Sequence, residues 1–120
     1  MDKELKIIDL KDKVQQFCED RDWDQFHNPK ELAIGAVTEA AELLDIFRFK
    51  SEEDMEEIMN NIEKRKDVED ELADTFFFLL RFCQLYDIDL STALINKIEK
   101  NSAKYPIDKF RGSNKKSSEV

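Results

Sequence analysis

Glycine and proline are nearly missing from this chain, with two of each in 120 residues. That scarcity leaves little room for the turns of a β-architecture, and no strand-like alternation persists. Cysteine is equally sparse: Cys18 and Cys83 lie far apart, each on an apolar helical face. They read as reduced core thiols of a cytoplasmic protein, neither a disulfide nor a metal pair. The one histidine, His27, cannot build a His-based metal site. No apolar run approaches the ~20 residues of a membrane span. The opening Met1-Asp2-Lys3-Glu4 lacks signal- or transit-peptide character. Positive charge is also in deficit, with 28 acids against 19 bases and a net charge of −9. That balance excludes nucleic acid and anionic membrane as partners, because neither finds a basic patch to grip. A polyphosphate stays open if metal ions mediate the contact.

What the chain does have is helical periodicity. Leu5, Ile8 (or Ile7), Leu10, Val14 and Phe17 give a first helix over about residues 3–20. Arg21 to His27 forms a polar loop holding two large aromatics, Trp23 and Phe26. Asn28-Pro29-Lys30-Glu31 starts a second helix running to about Phe47, with Asn as cap and Pro at the first helical position. Ser51 caps a short helix that buries Met55, Ile58 and Met59. Asn60-Asn61-Ile62-Glu63 opens a long third helix ending near Asp87. A fourth spans about 90–103 and stops before Tyr105-Pro106. The expected fold is all-α and four-helix-bundle-like with an extra short helix, one domain over 1–111, followed by a disordered polar tail, 112–120.

Two acid pairs stand out, Glu39-Ala-Ala-Glu42 and Glu71-Leu-Ala-Asp74. Three residues on a helix is about 300° of rotation, so each pair shares one face. Ala36, Val37, Leu43 and Leu44 surround the first; Phe76, Phe77 and Phe78 follow the second. Carboxylates in apolar surroundings are costly unless they are paired or bind a cation. Four oxygen donors without His or Cys favour a hard ion, Mg²⁺ or Mn²⁺, and hence a phosphate-bearing substrate. The bland reading is that so acidic a chain produces such pairs by chance and leaves them solvated. Phe76 to Leu80 is apolar around the whole helix, which calls for cover from a second subunit in a homo-oligomer.

The E-x-x-E pair, 28 intervening residues and E-x-x-D are joined by Asp22-Trp23-Asp24-Gln25-Phe26-His27-Asn28-Pro29 and by Phe47-Arg48-Phe49-Lys50. Asp89 to Ala93 and Lys97 to Pro106 complete the pattern. Over roughly residues 5–112 the chain resembles the MazG-like all-α nucleoside triphosphate pyrophosphohydrolases, in their dCTP-pyrophosphatase-type subgroup. The resemblance implies hydrolysis of a nucleoside triphosphate to the monophosphate and pyrophosphate. Mg²⁺ (Mn²⁺ possible) would be held by Glu39, Glu42, Glu71 and Asp74, with Glu39 or Glu42 on the attacking water. It assigns Lys97, Asn101, Lys104 and Tyr105 to phosphate and sugar, and Trp23 and Phe49 to a sandwich around the base. His27 falls to a substrate contact or a structural hydrogen bond. It also implies a homo-oligomer, in the form of a tetramer.

Three positions depart from that subgroup. Phe49 stands where relatives have Trp, Val14 where some have His, and Phe78 where they have Tyr. The missing polar contacts imply that dCTP is a good substrate without being exclusive. Two rival classes remain. A di-iron or di-manganese carboxylate bundle would need Glu-x-x-His repeats that are missing here. A non-catalytic helical interaction module would show no thermal stabilisation by Mg²⁺.

Overall fold

Side-chain caps fix where most of the helices begin. In the computed structural model, which describes all 120 residues, six α-helices account for most of the chain and there is no strand. They are α1 (Ile7–Asp20), α2 (Pro29–Phe47), α3 (Glu52–Asn60), α4 (Ile62–Leu85), α5 (Leu90–Lys104) and α6 (Ile107–Phe110). Short 3₁₀ turns lie at Asp24–Phe26 and Ser117–Glu119. Asn28 accepts the Glu31 amide at 2.8 Å ahead of α2, and Asp89 accepts that of Thr92 at 3.0 Å ahead of α5. Ser51 and Asp54 exchange reciprocal bonds at 3.1 Å, a capping box that starts α3. Each such cap contributes about 1 kcal/mol.

The differences from expectation are local and have causes. The first helix starts at Ile7, not at residue 3, because the Asp9 carboxylate reaches back to accept the Lys6 amide at 2.8 Å. Met1 to Glu4 form a separate turn, with the amides of Glu4 and Leu5 both bonded to the Met1 carbonyl. Ile7 turns inward and Ile8 is left exposed. Asn61, not Asn60, caps α4 by accepting the Lys64 amide at 3.0 Å, and Asn60 becomes the last residue of α3. The helix ends at Leu85, short of Asp87, whose φ of +51° is left-handed and cannot continue it. On α3, Ile58 is buried, but Met55 lies at the exposed edge.

The chain divides into two compact units, Met1–Asp87 and Ile88–Val120. In the first, α4 is the central helix and packs on α2, α1 and α3. Its buried side chains are Cys18, Leu32, Ile58, Val68, Leu80 and Cys83, together with one charged residue, Arg81. Both thiols are free. Of the all-apolar segment on α4, Leu80 is buried, while Phe76 and Leu79 are 38% and 46% exposed. The second unit holds α5 and α6, joined at Tyr105-Pro106. Tyr105 packs edge-on against Phe110, ring centroids 5.0 Å apart.

Candidate metal and nucleotide site

Gly35 lets α2 approach α4 closely, because a Cβ there would strike the Phe78 ring. One turn after Gly35 on α2 comes Glu39, and two turns before Phe78 on α4 comes Glu71. Carboxylate oxygens of Glu39, Glu42 and Glu71 all lie within 4.8 Å of one another. Two of them, Glu39 Oε2 and Glu71 Oε2, are buried and have no hydrogen-bond partner. A buried acceptor in that state carries its full desolvation cost. Burial first, then the neighbouring Glu42 carboxyl, push the Glu39 carboxyl up from its ordinary range, and the charge of Asp74 adds to this. Burial and then Glu42 push Glu71 up in the same way.

Such a group is stable if protonated or if it holds a cation. Three hard oxygen donors with unused lone pairs fit a small divalent ion. Asp74 stands outside this tight trio. It lies three residues past Glu71, exposed, and near enough for its charge to raise both glutamates. Asp74 instead borders a concavity of about 370 Å³ lined also by Lys13, Val14, Phe17, Ala73 and Phe77.

The aromatic residues divide between two places. Trp23 is 38% exposed and meets Phe17 edge-on at 5.5 Å; Phe17 meets Phe77 at 5.7 Å. Trp23 therefore adjoins the wall of the concavity. Phe49 sits just past α2, 90% exposed, with the Arg48 guanidinium 4.7 Å from its ring centre. Its φ of +62° is left-handed, a conformation that is a true outlier for a bulky side chain. Trp23 makes its ring contacts with Phe17 and His27, and Phe49 with Arg48.

His27 is tied inward: its Nδ1 accepts from Arg81 Nε at 2.9 Å. Desolvation, then the Arg81 charge, lower its pKa from the ordinary value, against an upward pull from Asp24. Lys97, Asn101, Lys104 and Tyr105 belong to the second unit, along α5 and at its C-terminal cap. Asn101 is half-buried, Lys97 and Lys104 are exposed, and the Lys104 ammonium lies 5.4 Å from the Tyr105 ring centre.

Sequence reasoning missed Arg81, Asp24, Phe17 and Gly35. The available signal was a lone arginine inside the apolar run of α4, with two aspartates in the facing loop.

These features define an all-α protein with a cluster of convergent carboxylates, and its relatives supply its family. Residues 34–120 match the MazG-like family, to which the chain belongs. Among curated relatives, it is 31% identical to dCTP pyrophosphatase 1 of Rattus norvegicus over 110 residues, 92% of this chain and 65% of the rat protein. Against dCTP pyrophosphatase 1 of Homo sapiens the identity is 29% over 117 residues, 98% of this chain and 69% of the human protein. The chain thus spans about two thirds of the length of these relatives. The crystal structure of a pyrophosphatase from Archaeoglobus fulgidus matches with a TM-score of 0.75 at 36% identity, covering 82% of this chain and 90% of that one.

Proposed function

We propose that the chain is a divalent-metal-dependent nucleoside triphosphate pyrophosphohydrolase that accepts deoxynucleotides, dCTP among the best. The observation that carries this reading is the pair of buried, unpartnered oxygens of Glu39 and Glu71 within a three-carboxylate cluster. The names of the curated relatives and of the solved pyrophosphatase support it. Glu39, Glu42 and Glu71, with Asp74 a turn along α4, are the residues that would hold Mg²⁺, or Mn²⁺ in its place. When bound, the ions supply charge neutralisation of the triphosphate and of the leaving pyrophosphate.

The chain's own residues do the rest. Glu39 or Glu42 holds the attacking water and takes its proton as the new P–O bond forms. The α–β phosphoanhydride bond then breaks, and pyrophosphate leaves with that electron pair. Trp23 and Phe49 offer aromatic faces to the base, and His27 a hydrogen bond. Lys97, Asn101, Lys104 and Tyr105 contact phosphate and sugar. Residues 88–120 hold seven basic and four acidic side chains, against 12 basic and 24 acidic in residues 1–87, so the basic excess that a polyphosphate needs lies in the C-terminal stretch.

The proposal includes a homo-oligomer, a tetramer assembled as two dimers. Leu72, Phe76 and Leu79 support it, since they leave an exposed apolar strip on α4. No helix is long and apolar enough to cross a membrane, and the two free thiols suit the cytoplasm. The deciding experiment is a dNTP panel with Mg²⁺ and pyrophosphate detection. Orthophosphate release in place of pyrophosphate would overturn the assignment.

A further inference from the structure

Arg81 is a charged side chain only 1% exposed, and the acid cluster makes no use of it. Every nitrogen of its guanidinium donates. Nε bonds His27 Nδ1 at 2.9 Å, Nη1 bonds Gln84 Oε1 at 2.5 Å, and Nη2 pairs with Asp24. Two of these partners stand in the loop beside Trp23, 54 and 57 residues away in sequence. Burying an arginine is costly, and its value lies in a rigid fork that fixes several partners at once.

What the fork fixes is a set of aromatic contacts. Trp23 meets the His27 ring at 6.4 Å and the Phe17 ring at 5.5 Å. Phe17 in turn lines the concavity bordered by Asp74. An arginine in a protein does not give up its proton, so His27 Nδ1 can only accept. The neutral imidazole must therefore carry its hydrogen on Nε2, where it is a donor. We propose that Arg81 is a positioning residue for nucleotide binding: it holds Trp23 beside the concavity and fixes His27 as an Nε2–H donor. The consequence for binding rests on the function proposed above; the loop geometry does not. Lysine cannot replace the fork, because a point charge does not serve three fixed directions.

The competing account is that other hydrogen bonds already hold the loop. The Trp23 amide donates to the Cys18 carbonyl at 3.0 Å, and Arg21 Nη1 donates to the Phe17 carbonyl at 3.0 Å. If those suffice, Arg81 only fills the core.

Arg81→Lys, Arg81→Met and Asp24→Asn separate the two accounts. The Asp24 side chain is 53% exposed, so its substitution leaves the core intact if the Arg81 variants do not fold. For dCTP with Mg²⁺, KM should rise about tenfold or more in the Arg81 variants and by less in Asp24→Asn, with kcat within about threefold. The chain has one tryptophan and one histidine. Acrylamide quenching of Trp23 and the ¹⁵N shifts of the His27 ring therefore report loop position and tautomer without any nucleotide. Greater Trp23 quenching and mixed His27 tautomers are expected in the variants. Folded variants with wild-type quenching, tautomer or KM would overturn the positioning role. No pyrophosphate release by the wild-type chain would overturn the proposed function instead, and the two spectroscopic readouts would still decide what Arg81 does to the loop.

Discussion

Gly35 on α2 and Phe78 on α4 approach so closely that a Cβ at Gly35 would lie within 2.7 Å of three carbons of the Phe78 ring. Because Glu39 and Glu71 occupy the same two helices, this contact sets how near their carboxylates come. Gly35→Ala should lower stability by about 1–3 kcal/mol, as overpacking does, measured by denaturant titration. It should also weaken the thermal stabilisation given by Mg²⁺. Adding Phe78→Leu should recover part of both, since residues in contact couple. A Gly35→Ala protein with unchanged stability would show that the ring simply moves aside.

Removal of one carboxylate charge tests the proposed metal site directly. Glu42 is exposed, so Glu42→Gln keeps its shape without leaving a buried amide unpaired. Pyrophosphate release should be abolished while the circular dichroism spectrum is unchanged. Mg²⁺ at about a hundred times its Kd should stabilise the wild-type chain by about 2.7 kcal/mol, and chelation should reverse this. A melting temperature indifferent to Mg²⁺ would favour the non-catalytic helical module.

The depressed pKa of His27 gives a pH dependence of defined sign. The unfolded chain protonates at the ordinary value of about 6.5, whereas the folded chain protonates lower because of burial and Arg81. Below that ordinary value the unfolded state binds more protons, so stability is intact above the ordinary value and is lost as pH falls from there through the depressed one. With Mg²⁺ present to keep Glu39 and Glu71 ionised, wild type should lose more stability than His27→Gln between pH 7.5 and 5.5. Asp24→Asn removes the charge that pulls His27 up, so NMR titration should place its pKa lower still.

Local chemistry explains why so much of the fold was legible in the sequence. Asn28, Ser51 and Asp89 cap helices because each bonds an amide three residues ahead, an arrangement visible in a few consecutive letters. The same range failed at Lys6, where the capping group is the Asp9 carboxylate inside the helix. Spacing places Glu39 with Glu42 and Glu71 with Asp74, but which members converge depends on the rotation of α2 against α4. That rotation rests on Gly35 and Phe78, 43 residues apart in the numbering, and it leaves Asp74 out of the tight trio. Arg81 was opaque for the same reason: its meaning comes from two distant loop residues.

Assembly is tested on the strip of α4 that its neighbours leave uncovered. Leu72, Phe76 and Leu79 are 51%, 38% and 46% exposed, and burying them between subunits would stabilise by about 25 cal/mol per Å² of apolar area. Light scattering at micromolar concentration should therefore give a multiple of 14.2 kDa. Leu79→Glu should shift it toward the monomer. A wild-type monomer would refute the tetramer.

In the proposed site, selectivity follows from what faces the base. Stacking is worth about 1–3 kcal/mol per base, so Trp23→Ala should raise KM about tenfold or more. Phe49→Trp enlarges a π-face without adding an edge contact, and should strengthen binding of all bases alike. Phe49→Gly should do the reverse for affinity while stabilising the fold, because glycine relieves a left-handed φ of +62° that costs about 1–2 kcal/mol. Val14 borders the concavity and Phe78 packs on Gly35; neither can hydrogen-bond a cytosine edge. All four dNTPs should therefore be cut, with dCTP good but not exclusive. A preference for dCTP beyond about a hundredfold in kcat/KM, roughly 2.7 kcal/mol, would mean that polar edge contacts come from other residues, and this account of selectivity would be wrong.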